Sequence, residues 1–175
     1  MSRLSLNQGL LKAIAARDLK RTEYYVSSGA DISITDEESG NTPLHLASKA
    51  GHVDAVHLLL ERTDINPNEM NKSGDTPLHF ATKGGHFDVV QLLLEKTDIN
   101  PNEMNKINGD TPLHTAVRYQ NLNIINLLLR RRDLDPNIVN KFGDNPLHCA
   151  ANGGHLDVVQ LLLEKTDINP NEMNK

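Results

Sequence analysis

Short apolar runs recur along the chain at nearly regular intervals, and each has the spacing of a helix. One run, residues 89–95, reads Val-Val-Gln-Leu-Leu-Leu-Glu and follows a His-Phe-Asp triplet. It is apolar on most sides, and Asp88 in its first turn complements the helix dipole. Similar triplets start at His52 and His155. The pattern predicts helices that are each packed between two neighbouring helices.

A shorter helix is predicted before each run, because a Pro-Leu-His motif with a capping residue precedes it. Thr and Asn are good N-cap residues, and Pro at the first helical position loses no hydrogen bond. The caps are Thr42, Thr76, Thr111 and Asn145. Glycine ends the short helix at Gly51, Gly85 and Gly154. Gln120 takes the corresponding place in the remaining case, where a positive φ would carry a strain cost.

The two helices and the polar connector that follows them form a repeating unit. Successive caps are 34, 35 and 34 residues apart, and residues 83–106 and 152–175 differ at only two positions. Such a period is typical of stacked units that bury their apolar faces against one another. We therefore predict a single all-α repeat domain over residues 1–175. Its units are a diverged, polar N-terminal cap at 4–34, then 35–69, 70–103, 104–138 and 139–175, the last being incomplete or uncapped.

The motif of the units reads Gly-x-Thr-Pro-Leu-His-x-Ala and then Gly-His-x-Asp-Val-Val-x-Leu-Leu-Leu. It resembles the ankyrin repeat and covers almost the whole chain. The resemblance implies a solenoid of stacked helix–turn–helix units with β-hairpin-like loops. It also implies protein binding, which in that family usually occurs at the hairpin tips and on the concave face of the first helices.

Two features depart from the family pattern. Thr-Asp-Ile triplets with one extra residue, starting at Thr63, Thr97 and Thr166, replace the Gly-Ala-Asp that precedes the family's loop. The connector therefore lacks the usual glycine stop, and the sequence does not determine the path that it follows. A second extra residue, within 107–108, enlarges one hairpin.

Composition narrows the classes of partner. The formal net charge of −5 argues against general binding of nucleic acid or of an anionic membrane. No apolar stretch approaches 18 residues, so membrane insertion is not expected. The single cysteine, Cys149, excludes an intrachain disulfide and suits a reducing compartment. We predict a cytoplasmic protein, or one in the host cytosol if it is a secreted effector.

The eight histidines invite a metal or acid–base interpretation. Four of them occur once per unit, and adjacent helices pack about 8–10 Å apart. A shared zinc needs ligand nitrogens about 2.0–2.1 Å from the ion, so histidines on adjacent helices are too widely spaced to bind one zinc together. By the resemblance, these histidines form hydrogen bonds within and between units, and Cys149 takes the place of a core leucine. We therefore predict no metal, no cofactor and no enzymatic activity.

The candidates for partner binding are the residues that vary while the framework repeats. By the resemblance, the concave positions of the first helices are Lys49, Lys83, Arg118 and Asn152. The hairpin tips contribute Lys72, Lys106, Ile107, Lys141 and Phe142, and Asp110 belongs to an aspartate series beside the caps. Two interpretations remain open. This surface is either a solvated face with ion pairs of about 0–1 kcal/mol each or a charged groove that orients a partner.

The fourth unit departs most from the repeat, and we predict that it holds the binding centre. Arg118 and Tyr119 replace the usual small turn, and interfaces favour Tyr and Arg anchors. We expect these two residues, Ile107 and Phe142 to approach one another on the concave side. The arginine triplet 130–132 should end the second helix of this unit.

Two further functions remain as alternatives to a protein-binding module. One is a targeting region of a larger protein, such as a pathogen effector whose activity lies outside this chain. The other is a scaffold that self-associates through the uncapped C-terminal unit. Because the last unit is nearly identical to an interior one, truncation is favoured over self-association.

A modification is also implied by the resemblance. Ankyrin loops with a Leu followed by Asp-Val/Ile-Asn serve as substrates of an asparaginyl hydroxylase. In this chain the matching residues are Asn66, Asn100 and Asn169. Many unmodified repeats match equally well.

Overall fold

The computed structural model describes residues 2–96 and 98–166, which form ten helices in five antiparallel pairs. The pairs are α1 Arg3–Ala15 with α2 Leu19–Ser27, α3 Pro43–Ala50 with α4 Val53–Leu60, α5 Pro77–Lys83 with α6 Phe87–Leu94, α7 Pro112–Arg118 with α8 Leu122–Leu128, and α9 Pro146–Asn152 with α10 Leu156–Lys165. No strand occurs among these residues. The predicted all-α repeat solenoid is therefore confirmed.

The helices stack in two layers. First helices contact first helices in the order α1, α3, α5, α7 and α9, and second helices contact second helices in the order α2, α4, α6, α8 and α10. Leucines at equivalent positions, such as Leu44, Leu78 and Leu113, are fully buried between the layers. Burying one such side chain stabilises the fold by about 1.5–3 kcal/mol.

A capping box opens each first helix from α3 to α9. In α5 the Thr76 hydroxyl accepts a hydrogen bond from the backbone N–H of His79, and the His79 ring accepts one from the backbone N–H of Thr76. The same reciprocal pair occurs at the other three caps, where Asn145 replaces Thr in α9. The predicted caps are confirmed.

The same histidines also join each unit to the next one. Nε2 of His45, His79 and His114 lies 2.9–3.0 Å from the backbone oxygens of Asp75, Asp110 and Asp144 respectively. Since Nδ1 accepts a hydrogen bond from a backbone N–H, Nε2 carries the proton and donates a hydrogen bond to the carbonyl. The hydrogen bonds implied within and between units are therefore present.

The hairpins are joined through the backbone. The N–H of Lys106 donates to the carbonyl of Ser73 in the preceding hairpin at 2.8 Å, and Lys72 and Lys141 make the equivalent bonds. This contact requires glycine nearby. Gly74 has a φ of +77°, and a Cβ there would lie 2.5 Å from the backbone nitrogen of Lys106.

The connectors without a glycine stop follow a path fixed by asparagine side chains. Asn68 accepts from the backbone N–H of Asn100 at 2.8 Å and donates to the carbonyl of Asp98. Asn102 links its connector to the next one in the same way. Each of these two connectors is thus bound to its successor by an asparagine side chain.

The last carbonyls of two second helices accept hydrogen bonds from the following unit. Lys96 Nζ lies 2.6 Å from the carbonyl oxygen of Leu60, and Arg131 Nη1 lies 2.7 Å from that of Leu94. These oxygens have no acceptor role inside their own helix. A cation of the next unit therefore caps each helix.

Two expectations about turns have definite outcomes. Gln120 adopts a φ of +55°, so the strain expected from a non-glycine residue there is present. The arginine triplet 130–132 does not end a helix, because α8 stops at Leu128 and the triplet lies in the turn after it. The end of the final unit, 167–175, lies outside the described residues.

Candidate functional site

A cavity of about 170 Å³ opens between α5, α7 and the hairpin tip that precedes α7. We call it the α5–α7 pocket. Helix α5 supplies an aromatic ring and a lysine, α7 supplies an arginine, the residue after α7 is a tyrosine, and the hairpin supplies an isoleucine and two asparagines. The pocket is lined by Asp75, His79, Phe80, Lys83, Asn105, Ile107, Asn108, Asp110, Thr115, Arg118 and Tyr119.

Five of the candidate binding residues line this pocket: Lys83, Ile107, Asp110, Arg118 and Tyr119. Two of its apolar side chains are largely open to solvent, since Ile107 is 70% exposed and Tyr119 is 47% exposed. Phe142 is 68% exposed but lies outside the lining. The expectation that Phe142 approaches the other three residues stays a prediction: its hairpin tip follows α7, and the N–H of Lys141 beside it donates to the carbonyl of Asn108 in the tip that lines the pocket.

Phe80 is a pocket residue that the sequence analysis did not single out. It occupies the position after the Pro-Leu-His motif, where the other units have Leu46, Thr115 and Cys149. Lys49 Nζ lies 5.7 Å from the centroid of the Phe80 ring, a cation–π distance. The variability of this position along the repeats is the signal that would have identified it.

Arg118 is held in place by a buried carboxylate. Its Nη2 donates to Oδ2 of Asp110 at 2.8 Å. The same carboxylate accepts from Asn140 at 2.8 Å and from Asn108 at 2.7 Å. Burial alone would lower the pKa of Arg118, but the hydrogen bond and the charge of Asp110 raise it above its ordinary value. Asp110, a candidate for partner binding, is buried and positions Arg118, so a direct contact between Asp110 and a partner stays a prediction.

Three of the cap histidines, His45, His79 and His114, are neutral in this arrangement. Burial lowers the pKa of His45, His79 and His114 below the ordinary value, and the hydrogen bonds to the carbonyls of the next unit oppose the shift. Among residues 2–96 and 98–166, no three His, Cys, Asp or Glu side chains are grouped so that they could hold a metal ion. The arrangement of the cap histidines is that of a structural hydrogen-bond series.

Comparison of the sequence with models of protein families identifies the family of this chain. A family model described as "Ankyrin repeats (3 copies)" matches residues 10–105 and 98–174. This chain belongs to the ankyrin-repeat family. Ankyrin repeats are generally protein–protein interaction modules, and their fold is generally non-catalytic.

A curated relative of this ankyrin-repeat chain is the 2-5A-dependent ribonuclease of Mus musculus. The two are 41% identical over 54 residues, which is 31% of this chain and 7% of the relative. The match lies within a repeat region, so it supports the family and does not carry the ribonuclease activity over. None of the helices in the described part of the ankyrin-repeat chain is long and apolar enough to cross a membrane.

Lysines at two hairpin tips of the ankyrin units donate hydrogen bonds to the preceding tip. Lys72 Nζ donates to the carbonyl of Glu38 in the preceding tip at 3.1 Å, and also to that of Glu37. Lys141 Nζ donates to the carbonyl of Lys106. Both lysines are exposed, and their ammonium groups join adjacent tips.

Cys149 lies on α9, next to the cluster that holds Arg118. Burial raises the pKa of the Cys149 thiol to about 11, with a further rise from Asp110 that Arg118 opposes. The thiol is therefore protonated at neutral pH, which makes it a poor nucleophile. Asn152, at the end of the same helix, is exposed.

Two candidate hydroxylation sites lie in exposed connector turns. Asn66 donates to the carboxylate of Glu69 at 2.8 Å and accepts from the backbone N–H of Asn68 at 3.1 Å. Asn100 makes the equivalent bonds. Asn169 lies outside the described residues. Hydroxylation stays a prediction at all three, and a mass increase of about 16 in the intact protein from eukaryotic cells would reveal it.

Proposed function

We propose that this chain is a non-catalytic protein-binding module whose partner docks on the α5–α7 pocket and the hairpin tip beside it. The observation that supports the proposal is the combination of two exposed apolar side chains, Ile107 and Tyr119, with an arginine that is fixed by a buried carboxylate. Binding energy concentrates on aromatic and arginine anchors that are already ordered before association.

The candidate residues outside the pocket take secondary places in this proposal. Lys49 and Asn152 lie on the neighbouring first helices α3 and α9, and Lys72, Lys106 and Lys141 lie at the hairpin tips. Exposed charges at the rim of an interface mainly affect orientation and the association rate. Substituting one of them is expected to change affinity less than substituting Tyr119.

The test is a crosslinking pull-down from lysate with three forms of the chain: the parent, Ile107→Ala/Tyr119→Ala and Phe142→Ala. All three are first checked for folding by circular dichroism. The proposal expects a partner that the parent and Phe142→Ala capture equally and the double variant loses. Equal capture by all three forms would move the site away from the pocket. Loss with Phe142→Ala alone would place it on the following hairpin.

Self-association is a second candidate, supported by one comparison within the chain. Residues 88–96 and 157–165 have the same sequence. Leu94 in the interior copy is 7% exposed, whereas Leu163 in the last unit is 49% exposed. An apolar face of this kind suits a second molecule. A light-scattering mass equal to one chain at high concentration would rule this candidate out.

A targeting region within a larger cytoplasmic protein, such as a pathogen effector, is the remaining proposal. The mouse relative is named as a ribonuclease, and the match covers 7% of its length. That is an example of a related repeat region within a much longer protein. The mass of the native protein detected in its source cells distinguishes this proposal from a module that acts alone.

A further inference from the structure

We infer that the partner inserts a neutral side-chain carboxamide, that of a glutamine or an asparagine, between Asp75 and Asn105 in the α5–α7 pocket. This inference rests on the protein-binding function proposed above and adds the chemistry of the group that the pocket recognises. Both side chains line the pocket, and neither one satisfies the other.

Asparagines in two hairpins bind the side chain that lies thirty residues before them. Asn71 Nδ2 donates to Oδ1 of Asn41 at 2.8 Å. Asn140 Nδ2 donates to Oδ1 of Asp110 at 2.8 Å. Both bonds are buried, so each satisfies a donor and an acceptor inside the stack.

Asn105 and Asp75 are the equivalent pair, also thirty residues apart, and this pair is open. In the part of the chain that the structure describes, no hydrogen bond joins their side chains, and the Asp75 carboxylate accepts none from another residue. The Asn105 oxygen is engaged within its own hairpin, because it accepts from the backbone N–H groups of Ile107 and Asn108 at 3.2 and 3.1 Å. These two bonds fix the orientation of the amide and leave Nδ2 as the donor.

The hairpin of Asn105 is one residue longer than that of Asn71. The backbone N–H of Asn105 donates to the carbonyl of Asp110, five residues on, whereas the N–H of Asn71 donates to the carbonyl of Asp75, four residues on. The hairpin of Asn140 has the shorter form as well. The open pair thus coincides with the inserted residue.

The charges of the lining favour a neutral group. Arg118 and Asp110 are paired with each other. Of the other lining residues, Asp75 and the exposed Lys83 carry charges of opposite sign. A carboxylate of the partner would meet the negative charge of Asp75. An ammonium or guanidinium group would offer no acceptor to Asn105.

A carboxamide satisfies both open groups at once. Its oxygen accepts from Asn105 Nδ2, and its nitrogen donates to the Asp75 carboxylate. A primary amide has an N–H beside its oxygen, whereas the N–H and C=O of a trans peptide bond point in opposite directions, which favours a side chain over the partner's backbone.

The cavity also has room for such a side chain. Its volume is about 170 Å³, and an engineered cavity of about 150 Å³ in another protein binds benzene. Ile107 and Tyr119 in the lining are exposed and can cover the methylene groups of a glutamine.

The inference is tested by NMR titration of the isotope-labelled protein with amino acids that are acetylated at the nitrogen and methylamidated at the carboxyl group. The probes carry the side chains of glutamine, glutamate, methionine and lysine, which are similar in length and differ in charge and hydrogen bonding. The reporters are the backbone N–H signals of Ile107 and Tyr119.

The protein forms are the parent, Asn105→Asp, Asp75→Ala and Asn123→Asp, and thermal unfolding shows that each is folded. Asn105→Asp keeps the oxygen that the hairpin uses and removes the Nδ2 donor. Asn123→Asp is its matched control, because Asn123 is an exposed residue of α8 that lines a different cavity, and its substitution changes the net charge equally. Asp75→Ala removes the acceptor.

The glutamine probe should bind the parent at least about fivefold more tightly than the other probes, because each of those leaves a polar group of the pocket unpaired. Asn105→Asp should lose this preference, and Asn123→Asp should keep it. Asp75→Ala should bind the glutamate probe more tightly than the parent does.

Three results would overturn the inference. They are no binding of the glutamine probe to the parent, equal binding of the methionine probe, and an equal loss in Asn105→Asp and Asn123→Asp. A glutamate probe that gains nothing from Asp75→Ala would also count against the contact with that carboxylate and overturn it.

The pull-down with Asn105→Asp added distinguishes failure of the inference from failure of the proposed function. If Ile107→Ala/Tyr119→Ala abolishes partner capture while Asn105→Asp captures the partner as well as the parent does, the carboxamide is wrong and the binding site stands. If the double variant captures the partner as well as the parent does, both are wrong.

Discussion

His79 joins two units through its two ring nitrogens. Nδ1 accepts from the backbone N–H of Thr76 at 3.1 Å, and Nε2 lies 3.0 Å from the carbonyl oxygen of Asp110. A proton added to Nδ1 would face another donor inside a buried site, so the folded state resists protonation. His45 and His114 have the same arrangement.

Acidification is therefore expected to destabilise the fold. The pKa of each of these three histidines is lowered from 6.5 in the folded state. Below that value the unfolded chain binds protons that the folded chain does not, so the free energy of unfolding falls as the pH drops. Urea denaturation at pH values from about 8 to about 5 measures the slope.

His79→Gln provides the control, because Gln retains the capping box but cannot titrate. The variant should have a lower free energy of unfolding at neutral pH, because the hydrogen bond from the ring of His79 to the carbonyl of Asp110 is lost. Its free energy of unfolding should also depend less steeply on pH. A slope that is the same in parent and variant would show that His79 does not resist protonation in the folded state.

Local features of single residues could be predicted, whereas features that depend on distant residues could not. The caps at Thr76 and Asn145 and the strain at Gln120 follow from neighbours within a few positions. The burial of Asp110 depends on Asn140, which is thirty residues away.

At the scale of elements, the ends of the second helices depend on the unit that follows. Arg131 donates to the carbonyl of Leu94, the last residue of α6, and also to the carbonyl of Ile99 and the carboxylate of Asp133. One side chain thus satisfies a helix end, a connector and an acidic neighbour.

Arg131→Ala should lower the free energy of unfolding by roughly 1–2 kcal/mol, because buried carbonyl oxygens lose a charged donor. Chemical denaturation measures the change. Arg130→Ala is the matched control, since Arg130 is exposed, and it should stay within about 0.5 kcal/mol of the parent. Equal losses in the two variants would indicate a general charge effect rather than a helix cap.

At the scale of the molecule, the stack is held by contacts between adjacent units, so its stability depends on position. The identical segments 88–94 in α6 and 157–163 in α10 make this dependence measurable, because their amides have the same intrinsic chemistry. Helix α6 packs against α4, α5 and α8, whereas the described contacts of α10 are with α8 and α9.

Hydrogen exchange at low protein concentration should therefore be faster in α10 than in α6, by on the order of tenfold or more. Mass spectrometry of peptides from the two helices measures the ratio. Repeating the measurement at high concentration is the control for self-association, which would protect α10 selectively. Equal exchange of both helices at low concentration would contradict a stack that is weaker at this end.

The architecture itself could be predicted from the sequence, because the same local signals recur at a fixed period. The period predicted the pairs of helices and their order. The path of the connectors was not accessible, since it depends on Asn68 and Asn102 reaching the next connector. The pocket could be predicted only in part, because the contact of Phe80 with Lys49 and the burial of Asp110 beside Asn140 depend on neighbouring units.

The uniform hydrogen bonding between units has a consequence for the gene. Residues 83–106 and 152–175 are nearly identical, so their coding sequences can misalign during recombination and delete or duplicate two whole units. A duplication formed in this way would again place a cap histidine beside the carbonyl of the following unit and a hairpin lysine beside the preceding hairpin. The number of stacked units can therefore change in a single genetic event, and the added units inherit interfaces that are already compatible.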